Sequence, residues 1–268
     1  MRKININIPQ IDGKESHTFF MNSYLKLYGK KYEKKIYEVN NPIFLDKNKE
    51  AYLPEYLDLY FLYKLIILNK RLTVLEFGSG WSSLFFILAL EENKKRYEKY
   101  SRKFRASNKF EIFILENEKK YLDLTKSRIN NINSKKNIKV NYLLSQVRMS
   151  LFNNLICTEY SELPLCNPDF IYLDGPDQFN IKNKISGITT SHDDFMPMVS
   201  DLIKIEFFLI PGTIICVDGR AANVQFLLKN FKREWLYYYH KLTDMHLMYL
   251  NAPSLGYSNN NRLKFYNS

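Results

Sequence analysis

The chain has 268 residues, 46% of them hydrophobic and 25% charged, a globular composition with enough length to bury one substantial core. Disorder, collagen and coiled coil are excluded. The net charge of +11 raises the expectation of an anionic partner, such as nucleic acid, a phosphorylated small molecule or an anionic membrane surface. A Lys-rich composition beside abundant Asn, Ile and Tyr also fits A/T-rich coding, so the charge alone names no partner. Cys157, Cys166 and Cys216 are odd in number and lack close metal-ligand spacing, so neither a disulfide framework nor a zinc knuckle is expected, and a cytoplasmic location fits best.

Residues Met1 to Pro9 alternate apolar and polar positions without an apolar signal core. Phe19 to Tyr28 and Pro54 to Leu68 follow helical patterns with a Lys-rich joint between them, and residues 1–70 are taken as a helical N-terminal cap. The longest apolar run, Leu57 to Leu68, is broken by Asp58 and Lys64 and falls short of the ~18 residues of a membrane span, so none is expected.

From residue 71 to 268 short β-rich runs alternate with helical patterns, the sign of a sheet built from βαβ crossovers. The predicted strands are Leu72 to Phe77, Phe110 to Leu115, Ile138 to Leu144, Asp169 to Leu173 and Thr213 to Val217. Helices are predicted over Ser82 to Asn93, Glu118 to Asn131, about Asp194 to Phe208, and Ala221 to Phe231. Glu91 to Lys109, with eight Lys or Arg against three Glu, either prolongs the first of these or inserts after it as a solvated basic helix. Trp235 to His240 and Met245 to Leu250 are separated by only Lys241 to Asp244, too little for a helical crossover, so they should form an antiparallel hairpin. Arg262 to Tyr266 is expected as an edge strand or a packed tail. The fold class is therefore α/β: a Rossmann-like, seven-stranded, mostly parallel sheet with helices on both faces, an antiparallel C-terminal hairpin and a helical cap.

Ligands of open parallel sheets sit beyond the carboxyl ends of the strands, where the strand order reverses. The first strand ends Glu76-Phe77-Gly78-Ser79-Gly80-Trp81-Ser82-Ser83 and runs into a helix. Gly78 permits the tight bend, Gly80 lets the backbone approach a ligand, and the helix N-terminus favours negative charge. The second strand ends in Glu116, followed by Asn117, where a carboxylate can accept both hydroxyls of an adenosine ribose. The third ends at Ser145-Gln146, the fourth at Asp174-Gly175-Pro176-Asp177 and the fifth at Asp218-Gly219.

Together these residues resemble the class I S-adenosylmethionine-dependent methyltransferases over roughly Leu72 to Leu250. Val74 to Ser83 looks like the family's first motif, Tyr172-Leu173-Asp174-Gly175-Pro176 its fourth-strand motif, and Ile210 to Ile215 the entry to its fifth strand. The resemblance implies S-adenosylmethionine as cofactor. It places Glu76, Gly78 and Gly80 around the methionine part, with Ser79, Trp81, Ser82 and Asp174 beside them, Glu116 and Asn117 at the ribose, and Ser145 or Gln146 near the adenine. The chain departs from the family at Ser82, where a third glycine is usual, and after the third strand, where Asp is frequent.

Methyl transfer is an in-line displacement that positioning can largely catalyse, with a general base needed only for an acceptor that must lose a proton. Candidate bases are Asp174, Asp177, His192 and Asp218, of which Asp174 and His192 are selected as catalytic. Carboxylates such as Asp174 and Asp218 bind a divalent metal in some relatives of this fold, but Gly219-Arg220 replaces the Asn usual there, and no metal is expected. Arg220 either holds an anionic acceptor or caps the sheet edge, and Trp81 either packs on the cofactor or joins the core. The expected activity is methyl transfer to a small-molecule acceptor, anionic in character, such as a sugar or nucleotide-linked sugar, by a chain that could form a homo-oligomer. The alternatives are an RNA methyltransferase or basic nucleic-acid-binding protein using Glu91 to Lys109, and a nicotinamide-dependent oxidoreductase using the same glycine turn.

Overall fold

The computed structural model describes residues 6–28, 54–132 and 137–268. The Lys-rich joint between the two N-terminal helices lies outside them.

Seven strands form one sheet. They are β1 (Thr73–Phe77), β2 (Glu111–Glu116), β3 (Lys139–Leu144), β6 (Phe170–Leu173), β7 (Ile214–Asp218), β8 (Trp235–His240) and β9 (Met245–Leu250), in the order β3-β2-β1-β6-β7-β9-β8. The first five pair parallel, and β9 and β8 add antiparallel, as the short linker between them requires. The order reverses between β1 and β6, so the crossovers from β1 leave in opposite directions and open a crevice at their carboxyl ends.

Strand periodicity divides the core into two layers. Val74, Ile112, Ile114, Phe170, Ile214 and Cys216 face one side, with helices α1 (Gly13–Tyr28), α2 (Tyr56–Leu68), α3 (Trp81–Ser101), α4 (Lys119–Ile132) and α7 (Tyr257–Asn267). Leu75, Phe113, Leu115, Ile171, Leu173, Ile215 and Val217 face the other, with α5 (Asp201–Lys204), α6 (Ala221–Asn230) and the hairpin β4 (Val147–Phe152)–β5 (Leu155–Tyr160). By the same alternation Glu76, Glu116, Tyr172 and Asp218 fall on the α1–α4 side. The N-terminal helices complete this layer: Phe20, Leu62 and Leu65 are buried with Phe85 and Phe86. Asp12 caps α1, its Oδ1 accepting from the Glu15 backbone at 2.9 Å.

One predicted helix is shortened, one hairpin is added, and the C-terminal run takes one of its two expected forms. The helix expected over Asp194 to Phe208 is reduced to α5 and a 3-10 turn at Glu206–Phe208. Pro197 interrupts any longer helix, and the preceding loop spends its backbone groups on the hairpin: Lys182 accepts from Met149 at 3.1 Å and Met198 from Thr158 at 2.8 Å. That hairpin was not anticipated, although Val147 to Tyr160 alternates around Asn153-Asn154, both at positive φ, a favoured pattern for a two-residue turn. Arg262 to Tyr266 packs as a tail and not as an edge strand: it is helical, and Asn259, Arg262, Phe265 and Tyr266 bury one stripe of α7. The basic stretch lengthens α3 to Ser101 and forms no separate insert. Since α3 starts above β1 and returns toward the start of β2, Lys94 to Lys109 lies at the amino ends of the strands, away from the crevice. Among the described residues no helix is long and apolar enough to cross a membrane.

Candidate functional site

The crevice is built on a contact between two glycines. Gly78, at φ +99°, ends β1 and donates to the Leu115 carbonyl at 2.8 Å, while Asp174 and Gly175 at the end of β6 both donate to the Phe77 carbonyl. A Cβ on Gly175 would lie 2.7 Å from the Gly78 nitrogen, so only glycine lets the strand ends approach this closely. Above them opens a cavity of about 520 Å³.

One end of the cavity is formed by Gly78, Ser79, Gly80, Trp81, Ser82, Glu116, Tyr121 and Arg128. The Ser79 hydroxyl donates to Glu116 Oε2 at 2.7 Å, and Glu116 Oε1 accepts the backbone N–H groups of Asn117 and Glu118 at 2.8 and 2.9 Å. Burial raises the pKa of Glu116 and these donors oppose the rise. The Arg128 guanidinium lies 4.3 Å from the centre of the Trp81 ring. Gly80 is different from Gly78: its φ of −178° suits any residue, and a Cβ would meet only the Ser82 hydroxyl, at 4.0 Å. Protein packing does not demand glycine there, and its absence of a side chain leaves room at the cavity wall.

Glu76 stands behind this wall. It is fully buried, outside the cavity lining, and its two oxygens accept the Ser82 and Ser83 hydroxyls at 2.5 and 2.6 Å, tying β1 to the first turn of α3. Burial pushes its carboxyl up to about 8, against the pull of the two hydroxyls.

The other end is rich in carboxylates. Asp174 and Asp218 follow β6 and end β7, Glu55 and Asp58 come from the start of α2, and Asp244 from the β8–β9 turn. Including Glu116 and Asp177, seven carboxylates among the described residues line the cavity against two guanidiniums, Arg128 and Arg220. Tyr172 donates to Asp218 Oδ2 at 3.0 Å. Arg220 donates to the Asp174 carbonyl and lies 3.9 Å from its carboxylate. Asp174 lines the crevice with 49% of its side chain open to solvent. Its pKa is raised by desolvation and then by Asp218, and Asp58 and Asp218 are raised for the same first reason.

Of the residues selected from sequence, the structure gathers Gly78, Ser79, Gly80, Trp81, Ser82, Glu116 and Asp174 around one cavity. Glu76, Asn117, Ser145, Gln146 and His192 lie outside its lining. Asn117 Oδ1 accepts from the Asp177 backbone at 3.0 Å, while its Nδ2 is buried without a partner. Ser145 Oγ accepts from the Glu162 backbone at 2.9 Å, and the exposed Gln146 receives the Ser161 N–H on its carbonyl. His192 is exposed, its Nδ1 3.2 Å from the Asp194 nitrogen. Sequence reasoning missed Glu55, Asp58, Tyr121, Arg128, Tyr172 and Asp244 as cavity residues. Strand alternation points to Tyr172, and Asp58 is marked as a lone acid in the apolar α2 run.

No family model matches the sequence, and no curated protein matches it. Solved structures do. An O-methyltransferase from Bacillus cereus in complex with SAH is 16% identical over 82% of this chain and 90% of its own, with a TM-score of 0.41. A methyltransferase from Geobacter sulfurreducens is 13% identical over 91% and 99%, with a TM-score of 0.45. The O-methyltransferase TomG from Streptomyces achromogenes, involved in tomaymycin synthesis and crystallised with SAM, is 13% identical over 91% and 100%, with a TM-score of 0.40. At these identities the fold assignment rests on the strand order itself.

Proposed function

We propose that the chain is an S-adenosylmethionine-dependent methyltransferase acting on a small-molecule acceptor. The observation that carries this reading is the joining of the β1 glycine turn to the β2 carboxylate, Ser79 to Glu116, at the point where the strand order reverses. The residues present fit the cofactor. The cavity has the volume of a small-molecule site, Gly80 leaves its wall open, and Glu116 is anchored to accept ribose hydroxyls. Ser79 would fix that carboxylate, the Gly78–Gly80 turn with Ser82 and Asp174 would surround the methionine part, and Trp81 would offer an aromatic wall.

When bound, the sulfonium supplies the methyl group and carries a positive charge. The carboxylates lining the crevice favour that charge electrostatically. Asp174 faces the cavity with its pKa raised toward neutrality, the property a general base requires, and the Arg220 guanidinium lies 3.9 Å from its carboxylate. His192, exposed and outside the lining, is not favoured as a base. Sugar hydroxyls could donate to these carboxylates, whereas the phosphates of a nucleotide-linked sugar would face Asp174, Asp218 and Glu55.

The same charge distribution counts against a nucleic-acid substrate, because the basic stretch of α3 is at the far end of the strands. The antiparallel addition of β9 and β8 suits a methyltransferase sheet better than a nicotinamide-binding one. Calorimetric titration with S-adenosylmethionine and S-adenosylhomocysteine (SAH) tests the proposal: binding supports it and the failure of both to bind the folded chain refutes it.

A further inference from the structure

The end of the sheet opposite the crevice carries a different surface. Phe207 and Phe208, in the 3-10 turn that leads into β7, are 70% and 76% exposed, and Leu165, two residues before the Asn167 that binds this turn, is 98% exposed. The turn is held firmly. Asn167 Nδ2 donates to the Phe208 carbonyl at 2.9 Å, and the Arg233 guanidinium donates to the Glu206 and Leu209 carbonyls at 3.0 and 2.6 Å. The buried Glu206 carboxylate in turn accepts the Lys232 and Arg233 backbone N–H groups and the Trp235 indole N–H. Two adjacent Phe rings therefore stand in water on a turn with three carbonyls already satisfied, which lowers the cost of taking that turn out of water.

Positive charge spans the same end of the sheet from edge to edge. Lys139 starts β3, Arg102, Lys103 and Arg105 precede β2, and Lys232 precedes β8, all five exposed, with the Phe pair before β7 lying between them in the strand order. Of the acids at this end, Asp169 and Glu206 are buried and Glu111 meets Lys139 at 3.1 Å, which leaves Glu98 and Glu234 exposed among the described residues. Residues 1–5, 29–53 and 133–136 add ten Lys or Arg and four Asp or Glu, so they do not reverse this balance. The described parts of the chain that flank them, Ile6, α1, α2, α4 and Ile138, belong to the α1–α4 layer, whereas Ile205 and Leu209, on either side of the Phe pair, pack on the other face.

We propose that this end of the molecule adsorbs to an anionic phospholipid membrane, the Phe207 and Phe208 rings entering the interface and the surrounding Lys and Arg side chains meeting lipid phosphates. An apolar tip within a basic surface supplies the two components of interfacial binding, burial of apolar area and attraction to anionic headgroups. The exposed Leu165 beside the Phe pair favours lipid over nucleic acid, since an aliphatic side chain offers no ring for a base to stack on. Adsorption at this end leaves the crevice open to water on the far side. It adds a partner to the methyltransferase reading and does not depend on it.

The test is co-sedimentation of the full chain with phosphatidylcholine vesicles and with vesicles that also contain about 30% phosphatidylserine, repeated with single-stranded RNA as competitor. The parent chain should bind the anionic vesicles at least about tenfold more tightly than the neutral ones. Phe207→Ser combined with Phe208→Ser, at exposed positions where circular dichroism should show an unchanged fold, should weaken that binding by about tenfold or more. Arg102→Glu combined with Lys103→Glu should weaken it to a similar extent. Equal binding to both kinds of vesicle, binding to neither, or anionic binding that ignores the Phe pair would overturn the proposal. RNA that displaces the vesicles and binds the Phe variant as tightly as the parent would also overturn it, and would assign this end to a nucleic acid.

Discussion

Gly78 and Gly175 cross so closely that a Cβ on Gly175 would lie 2.7 Å from the Gly78 nitrogen and 2.9 Å from its Cα. This contact joins the ends of β1 and β6 beneath the cavity. Gly175→Ala forces the two backbones apart, and overpacking of this kind costs roughly 1–3 kcal/mol. Thermal or denaturant unfolding should show that loss, with weaker SAH binding. Gly80→Ala is the complement: its nearest protein neighbour would be 4.0 Å away, so stability should change by no more than about 0.5 kcal/mol while SAH affinity falls.

Ser79 acts on the ligand through Glu116. Removing its hydroxyl by Ser79→Ala leaves the carboxylate with its two backbone donors but releases Oε2, and a hydrogen bond to a charged group is worth roughly 1.5–3 kcal/mol. Calorimetry should record SAH affinity falling by about three- to tenfold, partly offset by water at the released oxygen. An unchanged affinity would remove Ser79 from the account.

Glu76 couples stability to pH. Its carboxyl is raised from the usual 4.5 to about 8, so between those values the folded chain keeps a proton that the unfolded chain releases. Its contribution to stability is complete below about 4.5 and is lost as pH rises toward and through 8. Glu76→Gln lacks this dependence. The Tm of the variant minus that of the parent should therefore increase from pH 5 to pH 8, and parallel curves would contradict the assignment.

Arg262 anchors α7 at the opposite end of the strands. It meets the buried Asp169 carboxylate at 3.1 Å, beside the Tyr266 hydroxyl and the Leu72 and Thr73 backbone donors, while Arg71 stacks 4.1 Å from the centre of the Tyr266 ring. Arg262→Met strands a buried charge and should cost about 3 kcal/mol or more in denaturant unfolding. SAH affinity of the folded variant should be unchanged.

Much of this was legible in the sequence, and particular residues show why. Gly78, Ser79, Gly80 and Glu116 could be placed because turn chemistry and strand ends are local, and the five parallel strands and the antiparallel hairpin followed from strand spacing and the short 241–244 linker. Asp174, Asp177 and Asp218 were legible as strand-end carboxylates, but Asp58 was not, because it is 160 positions from Asp218 in the chain and joins the cavity only when α2 covers the sheet. Pro197 and the Asn153-Asn154 turn carried the signals for the lost helix and the added hairpin. The polar pattern of Tyr257 to Asn267 hid a helix whose buried face includes Arg262 and Asn259, polar residues satisfied only by tertiary partners.

The central claim is tested most directly by titrating SAH into the parent chain and Glu116→Ala, with folding checked by circular dichroism. The account predicts one-to-one binding by the parent and an affinity at least about tenfold lower in the variant. A folded parent that binds neither SAH nor S-adenosylmethionine, or a variant that binds as tightly as the parent, would contradict it.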